Sequence, residues 1–555
     1  MKKHMHSLPE PERIEALTRG LVQQASVNGT TGEVDIIGNI RHILAEFPYF
    51  QEHPDHLWLQ TLPDDPLGRQ NVFAFVAGNA DAANTVLYHA HIDTVGVDDY
   101  GRIKDKAFSP DALNNFFSTY DAAPRVQAEA QSGDWLFGRG ALDMKSGAAV
   151  HISNVLHFSE NREELEGNLL LVINGDEESE HHGMTGALHE LKRLQDEKNL
   201  DYVAAINNDF ITPMFDGDET KYIYTGTAGK LLPAFHIYGR EVHVGDTLAG
   251  IDPNFIAAKL TERLHNNYRL TEHVPGELIL PPSCLYQRDT KPFYNVQTAP
   301  GSHLYFNYFL YEATPADVMT QLVQETQQAC REAETYLKDQ FEAFLDTTGL
   351  PQRDLSWNID VTTYDAYVEE LHERGIDTRS VIEQAIADNP DADTRTLSFR
   401  ITGALQELDP DKRARVILFF APPFLPHNYL KDSDPGHRQI KAALEAVLHQ
   451  HEAKTGESFA VKKFFPYLAD GSFLSLHETK SELNALLQNM PEWERLYPVP
   501  FETIQSLDIP SINMGVYGHD GHKWTERVYK PYSFGVLPGL IRDTTRQLLN
   551  GHITA

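Results

Sequence analysis

Cysteine is nearly absent from this chain of 555 residues: Cys284 and Cys330 are the only two. They make neither a disulfide framework nor a zinc-finger spacing, and so few thiols suit a reducing compartment, so a cytoplasmic protein is expected. Basic residues are also scarce. There are 47 Lys and Arg against 80 Asp and Glu, a formal net charge of −33. Such a balance argues against nucleic acid and against anionic membrane surfaces as partners, and fits a soluble protein or a cationic substrate. No apolar run approaches the length of a membrane-spanning helix. Met1 to Glu12 carries basic residues with no apolar segment behind them, so no signal peptide is expected there. No repeat period is visible.

What is present is a long chain of ordinary apolar content, so two or more domains are expected. Apolar residues at helical spacing mark Glu12 to Val22 and the Ile36, Ile40, Ile43, Leu44 face. Short apolar runs at Val72–Val76, Thr85–Tyr88, Leu169–Ile173 and Tyr202–Ile206 read as strands, with helices such as Thr185–Glu197 between them. Strands alternating with helices predict an α/β layer architecture around a mostly parallel sheet with helices on both faces. From about Thr227 the pattern changes to strand, helix, strand, long helix, strand, with a polar, helix-rich stretch near 347–411 before the last strand. This is an α+β pattern, and α/β character returns after Pro422-Pro423. The expected division is therefore 1–226, an inserted domain over 227–425, and 426–555.

Polar residues cluster just after the strands of the first part. His91 and Asp93 follow one, Glu177 and Glu178 another, and Asp209 a third. Ligands of open α/β sheets bind outside the carboxyl ends of the strands. Each charge alone is an ordinary loop residue; together they are more than packing needs. Between them lies Gly138-Arg139-Gly140-Ala141-Leu142-Asp143-Met144-Lys145-Ser146-Gly147, which lacks both the GxGxxG and the P-loop spacing. It puts Asp143 in a turn that opens a helix over Ala148–Phe158. A carboxylate there can bridge two metal ions, or merely cap the helix. The late stretch Gly518 to Glu526 adds His522.

These residues can hold two ions. Asp143 would bridge, His91 and Asp209 would complete one site, and Glu178 and His522 the other. Nitrogen and oxygen donors without thiolate suit Zn²⁺, with Mn²⁺ or Co²⁺ as alternatives. Asp93 can take the ring N–H of His91 and fix its orientation. Glu177, beside a ligand, is free to act as general base on a metal-bridging water.

The set His91-Ile-Asp93, Gly138-Arg-Gly140 through Asp143-Met-Lys145, Asp176-Glu177-Glu178, Asp209, and His522 with Glu526 resembles the M20 family of co-catalytic metallopeptidases and amidohydrolases. His243 matches the family's lid histidine. Gly133-Asp134-Trp135-Leu136-Phe137, Lys221–Gly226, Leu418–Pro423 and His522–Glu526 resemble the arginine-utilisation group within that family. The resemblance implies a ferredoxin-like lid domain and hydrolysis of an amide bond in a small amino-acid derivative or short peptide. It implies that His243 helps hold the oxyanion, that Asn254 binds the substrate's carboxylate, and that Asp209 leans toward an aminopeptidase or dipeptidase type.

Two other readings are open to the sequence. His89-Ala-His91-Ile-Asp93 is similar to the HxHxDH run of metallo-β-lactamase-fold hydrolases, but Thr94 stands where the last histidine belongs, and His89 reads better as a packed strand residue. A non-catalytic M20-like scaffold would usually have lost a ligand or the base, and none is lost here. His181, His182 and His519 read as exposed loop histidines. The 347–411 stretch offers one strand candidate, Thr396–Ile401, too little for a second lid sheet. In dimers of the family that the chain resembles, the lid sheets join and a lid histidine reaches across to the other subunit. With too little here for a second lid sheet, the resemblance implies a homodimer pairing its lid edges, with His243 acting in the partner's site.

Overall fold

The computed structural model describes residues 8–78, 82–467 and 469–550. The reading against a signal peptide falls mainly on residues 1–7, outside the described residues. Among the described residues no helix is long and apolar enough to cross a membrane. The chain falls into two units, one of 1–228, 428–476 and 500–555, the other of 229–427 and 477–499.

The first unit is built on an eight-stranded sheet. Its order is Leu57–Thr61, Gln70–Ala77, Asn168–Asn174, Asn84–His91, Asp201–Asn207, Ser511–Asn513, Lys221–Tyr224, Phe459–Lys462. The central strands Asn168–Asn174, Asn84–His91, Asp201–Asn207 and Ser511–Asn513 run parallel, while the first two strands are antiparallel to their neighbours. Alternate residues of these strands (Val72, Ala74, Val86, Tyr88, Leu169, Leu171, Ala204, Ile206) share one core with the helices Glu10–Val22, Gly32–Ala45, Ser146–Glu160 and Leu537–Asn550. Phe73, Leu87, Leu170 and Val172 point to the opposite face and are equally buried. The helix His182–Lys198 packs there against Gln70–Ala77 and Asn168–Asn174. Burial on both faces explains why the middle strands are apolar throughout.

Register aligns the ends of the parallel strands. His91 lies opposite Asn174 and His89 opposite Asn207, so the chain leaves three neighbouring strands at one level. A separate three-stranded sheet pairs Arg527–Tyr529 with both Gly518–His519 and Trp135–Phe137. It ties the C-terminal loop to the strand that leads into Gly138 and Asp143.

The second unit contains strand Gly229–Tyr238, helix Pro253–Leu264, strands Ser283–Asp289 and Gly301–Leu310, helix Pro315–Thr348 and strand Arg415–Leu425. In space, Ser283–Asp289, Gly301–Leu310, Gly229–Tyr238 and Arg415–Leu425 follow one another, all antiparallel, the ferredoxin-like arrangement. A fifth strand, Asp360–Thr363, adds in parallel beside Arg415–Leu425.

Several expectations are corrected here. Thr396–Ile401 is not a strand but part of the helix Thr394–Leu408. Leu397, Phe399 and Ile401 alternate as in a strand, but Leu397, Ile401 and Leu405 also fall at helical spacing. The Asp393 side chain settles the competition by accepting from the amides of Arg395 and Thr396, an N-cap. With Tyr364–Glu373 and Thr378–Ala387 this helix buries Leu232, Ala234, Ile417 and Phe419 of the sheet. Residues 477–499 fall within the expected 426–555 part, yet they cluster with the second unit. The amide of Phe420 donates to the carbonyl of Asn489 at 2.8 Å, and the Tyr497 hydroxyl donates to the carbonyl of Phe424 at 3.2 Å. His181 is buried rather than exposed.

Gly515, just after Ser511–Asn513, passes so close to Asp209 that a Cβ there would lie 1.9 Å from the Asp209 carbonyl oxygen. Backbone cannot yield as a side-chain tip can. Gly515→Ala is expected to destabilise the first unit by about 1–3 kcal/mol. Gly38 lies in the helix Gly32–Ala45 with nothing within 4 Å of its added Cβ. Gly38→Ala should instead stabilise by about 0.4–1 kcal/mol. Opposite shifts of the melting temperature in the two variants are the check.

Candidate metal centre

Three parallel strands deliver the first donors. Asn84–His91 ends on His91 itself, the turn after Asn168–Asn174 carries Glu177 and Glu178, and Asp209 stands two residues past Asp201–Asn207. Asp143 comes from the turn before the helix Ser146–Glu160, and His522 from the loop between Gly518–His519 and Arg527–Tyr529. Donor atoms of His91, Asp143 and Asp209 lie within 4.8 Å of one another, and so do those of Asp143, Glu178 and His522. Asp143 belongs to both groups. Its Oδ1 is 3.1 Å from His91 Nε2, and its Oδ2 is 2.9 Å from His522 Nε2. His522 Nε2 is also 2.9 Å from Glu178 Oε1. Each oxygen of one carboxylate thus faces a different imidazole. Nitrogen and oxygen donors in two groups sharing a carboxylate fit a pair of divalent ions.

Glu177 is buried, and its Oε2 lies 4.0 Å from His91 Nε2. Its neighbour Glu178 reaches the other donor group, so the two adjacent side chains diverge. Asp93 sits below them, fully buried. Its Oδ1 is 3.4 Å from His91 Nδ1. It also accepts from the amides of Glu177 and Glu178 at 3.2 and 3.1 Å, and from Asn28 Nδ2 at 3.1 Å. One carboxylate therefore orients both an imidazole and the turn that carries the two glutamates.

Charge crowding is the dominant electrostatic fact. Burial raises Glu177 and Asp209 well above the ordinary carboxylate range and raises Glu178 too, and neighbouring acids add to each shift. Burial opposes the positive charge on His522, but its bonds to Asp143 and Glu178 outweigh this and push it up to about 12. Burial likewise opposes charge on His91, yet Glu177, Asp143 and Asp93 hold it well above its usual value. Asp143 is buried as well, but hydrogen bonds from His522 and His91 keep it far below the usual range. This much negative charge in a buried space is stable only with positive charge among it, as protons or as metal ions.

Some supporting residues carried no chemical signal in the sequence. Glu526 was visible only as a motif partner of His522; in the structure its Oε1 accepts from the amides of Leu142 and Asp143 at 3.0 and 3.2 Å, and its Oε2 from Arg139 at 2.8 Å. Asp470 accepts from Asn174 Nδ2 at 2.5 Å and lies 2.9 Å from His181 Nδ1, which explains the burial of that histidine. His182 lies 2.7 Å from Asp176, and His519 lies 2.8 Å from Arg125. His89 is buried in its strand, and burial lowers its pKa to about 4, as fits a neutral packed residue. The two remaining residues named from the sequence belong to the second unit. His243 is exposed and accepts from the amide of Gly245 at 3.0 Å. Asn254 opens the helix Pro253–Leu264, and its Nδ2 donates to Asp289 at 3.4 Å.

Comparison with known proteins extends these observations. The model of peptidase family M20/M25/M40 matches residues 87–343. Protein RocB of Bacillus subtilis (strain 168) is 55% identical over 541 residues, covering 98% of this chain and 96% of that protein. The uncharacterized protein YqjN of the same organism is 34% identical over 542 residues, 97% of this chain and 96% of its own. Among solved structures, a tripeptidase from Staphylococcus aureus subsp. aureus Mu50 aligns over 97% of this chain and 98% of its own, with a TM-score of 0.52 at 14% identity, a likeness of fold. A family match running through four of the five grouped donors, and a relative alike over nearly every residue, mean that this chain belongs to peptidase family M20/M25/M40 and is an enzyme of its dinuclear metallohydrolase type.

Proposed function

We propose that the protein hydrolyses an amide bond in a small derivative of a basic amino acid, as part of arginine or ornithine breakdown, with Glu177 as the base. The observation that carries this reading is Asp143, one oxygen in each donor group, with the buried Glu177 beside them. His91 and Asp209 would hold one ion, Glu178 and His522 the other, with Asp143 common to both. Two divalent ions there, zinc by the donor chemistry with manganese or cobalt as alternatives, supply carbonyl polarisation and a lowered pKa for water. Glu177 takes a proton from the attacking water on a carboxylate oxygen and returns it to the leaving nitrogen. Its burial beside the donor groups keeps it out of bulk water. Asp93 holds the His91 ring in orientation throughout. His243 donates to the developing oxyanion and Asn254 to the substrate's carboxylate. The basic character of the substrate rests on the sequence phrases shared with the arginine-utilisation group and on the net charge of −33.

Metal-loaded protein assayed on a panel of dipeptides, amino-acid amides and N-acyl amino acids should turn over those of arginine or ornithine faster than neutral ones. Equal turnover removes the substrate assignment. On the best substrate, Glu177→Ala should keep its metal and lose roughly 10²–10⁴-fold in kcat. Glu178→Ala should lower metal affinity, and the reverse pattern overturns the assignment.

Metal ions compete with protons for Asp209, Glu178 and the two imidazoles. All four have pKa values raised in the metal-free chain, so affinity should rise with pH across the neutral range. Calorimetric titration in buffers of different ionisation enthalpy should register proton release, and a pH-independent affinity counts against these ligands.

We further propose a homodimer joined through edges of the second unit's sheet, with His243 serving the partner's site. Mixing His243→Ala chains with Glu177→Ala chains under subunit exchange should restore activity through mixed dimers with one complete site. A fully active monomer by light scattering, or no recovery despite proven exchange, rejects it.

A further inference from the structure

The second unit contains a cavity of about 560 Å³ between the strand Ser283–Asp289 and the helix Thr394–Leu408. That volume suits a small organic molecule. Its floor follows from strand register. Tyr286 pairs with Tyr305 across the ladder, and Arg288 pairs with His303, so all four side chains share one face of the sheet. The two tyrosine rings stack at 5.2 Å and 6°, and His303 stacks on Phe399 of the helix at 4.3 Å and 15°. A broad aromatic surface is thus already assembled.

The walls are cationic. Arg288, Lys291, Arg395 and Arg400 line the cavity, against Asp289 and Asp393. In a chain of net charge −33 this is unusual. Six arginines of the same unit, Arg263, Arg353, Arg374, Arg379, Arg413 and Arg415, each hold an acidic partner. Among the described residues Arg288 and Arg400 form no ion pair. The two aspartates are already engaged. Asp393 accepts from the amides of Arg395 and Thr396, from the Thr396 hydroxyl, and from Arg395 Nε at 3.1 Å, so it is paired within the wall. Asp289 accepts from the Lys291 amide and from Asn254 Nδ2. Two guanidinium groups without acidic partners, facing a cavity floored by flat rings, match an anion with a planar body. The anionic head gains charge-assisted bonds, and the ring gains stacking.

We propose that this cavity binds a small organic anion, with its carboxylate or phosphate between Arg288 and Arg400 and its ring on the Tyr286–Tyr305 pair. The site uses the 347–411 stretch, which the ferredoxin-like sheet does not require, and every residue lining it belongs to the second unit. The test is calorimetric titration of metal-loaded protein with four probes at constant ionic strength: acetate, benzoate, inorganic phosphate and AMP. At least one ring-bearing anion should bind saturably and at least about tenfold more tightly than its ringless counterpart. Comparing benzoate with AMP tells a carboxylate head from a phosphate head. The double variant Arg288→Gln/Arg400→Gln changes two exposed side chains. It should weaken that binding at least about tenfold while the melting temperature stays put. Absence of saturable binding for all four probes overturns the proposal. So does binding that the double variant leaves unchanged, since the anion would then sit elsewhere, such as on the metal ions.

Discussion

The first unit is organised around a single carboxylate whose two oxygens face two different imidazoles. Asp143 could not hold that position by itself. Glu526 grips the amides of Leu142 and Asp143 and is anchored in turn by Arg139, which also binds Asp99 at 2.7 Å. Lys145, fully buried, donates to the carbonyls of Leu21 and Gln24 at 3.1 and 2.6 Å and so fastens the same turn to the first helix. The turn is confined on its inner side as well. Gly140 has φ of 77°, and a Cβ there would meet Thr94 Cγ2 at 2.7 Å. Glycine is needed here for both conformation and space. Such enclosure lets the residues around the donors stay fixed while charge near them changes.

A second ring of ions lies beneath the first. Arg69 binds Asp176 at 2.5 Å and Asp65 at 2.7 Å, and Asp176 takes further bonds from Asn28 and the His182 amide. These groups are buried and mutually satisfied, so removing one partner would leave an uncompensated charge. They hold the turn of Glu177 and Glu178 from the side away from the donors, as Asp93 holds it from within. The position of Glu177 thus depends on residues outside both donor groups.

Much of this was legible in the sequence because metal binding restricts residue type. His91, Asp143, Glu178, Asp209 and His522 stand out as acids and imidazoles placed just after apolar strands or glycine turns, and the structure gathers them into two groups. The long apolar strands were legible for the same reason: burial on both faces leaves no polar alternation to confuse the pattern. Short strands at the edges were not. Leu57–Thr61 and Ser283–Asp289 mix exposed and half-buried positions, and Asp360–Thr363 is half-buried throughout. Thr396–Ile401 fitted two periodicities at once, and only the cap at Asp393 separates them. Asp470 is a lone acid in a featureless stretch, and its role comes from His181 and Asn174, far away in sequence. Residues 477–499 gave no composition shift, and their place follows from the bonds that Asn489 and Tyr497 make to Phe420 and Phe424.

The order of synthesis gives the strand Ser511–Asn513 a further meaning. It lies in the middle of the eight-stranded sheet, between Asp201–Asn207 and Lys221–Tyr224, yet it is the last of those strands to be made. Until it emerges, Asp201–Asn207 is an open edge, and Asp209 beyond it lacks the Asn513 side chain that binds its carbonyl at 3.0 Å. His522 follows within ten residues, 344 positions after its partner Glu178. A nascent chain therefore carries His91, Asp143 and Asp209 long before it can assemble the second donor group. Closing the sheet and completing the second donor group are one late event, so a truncated or stalled chain is left with an unpaired strand edge and only one of the two donor groups.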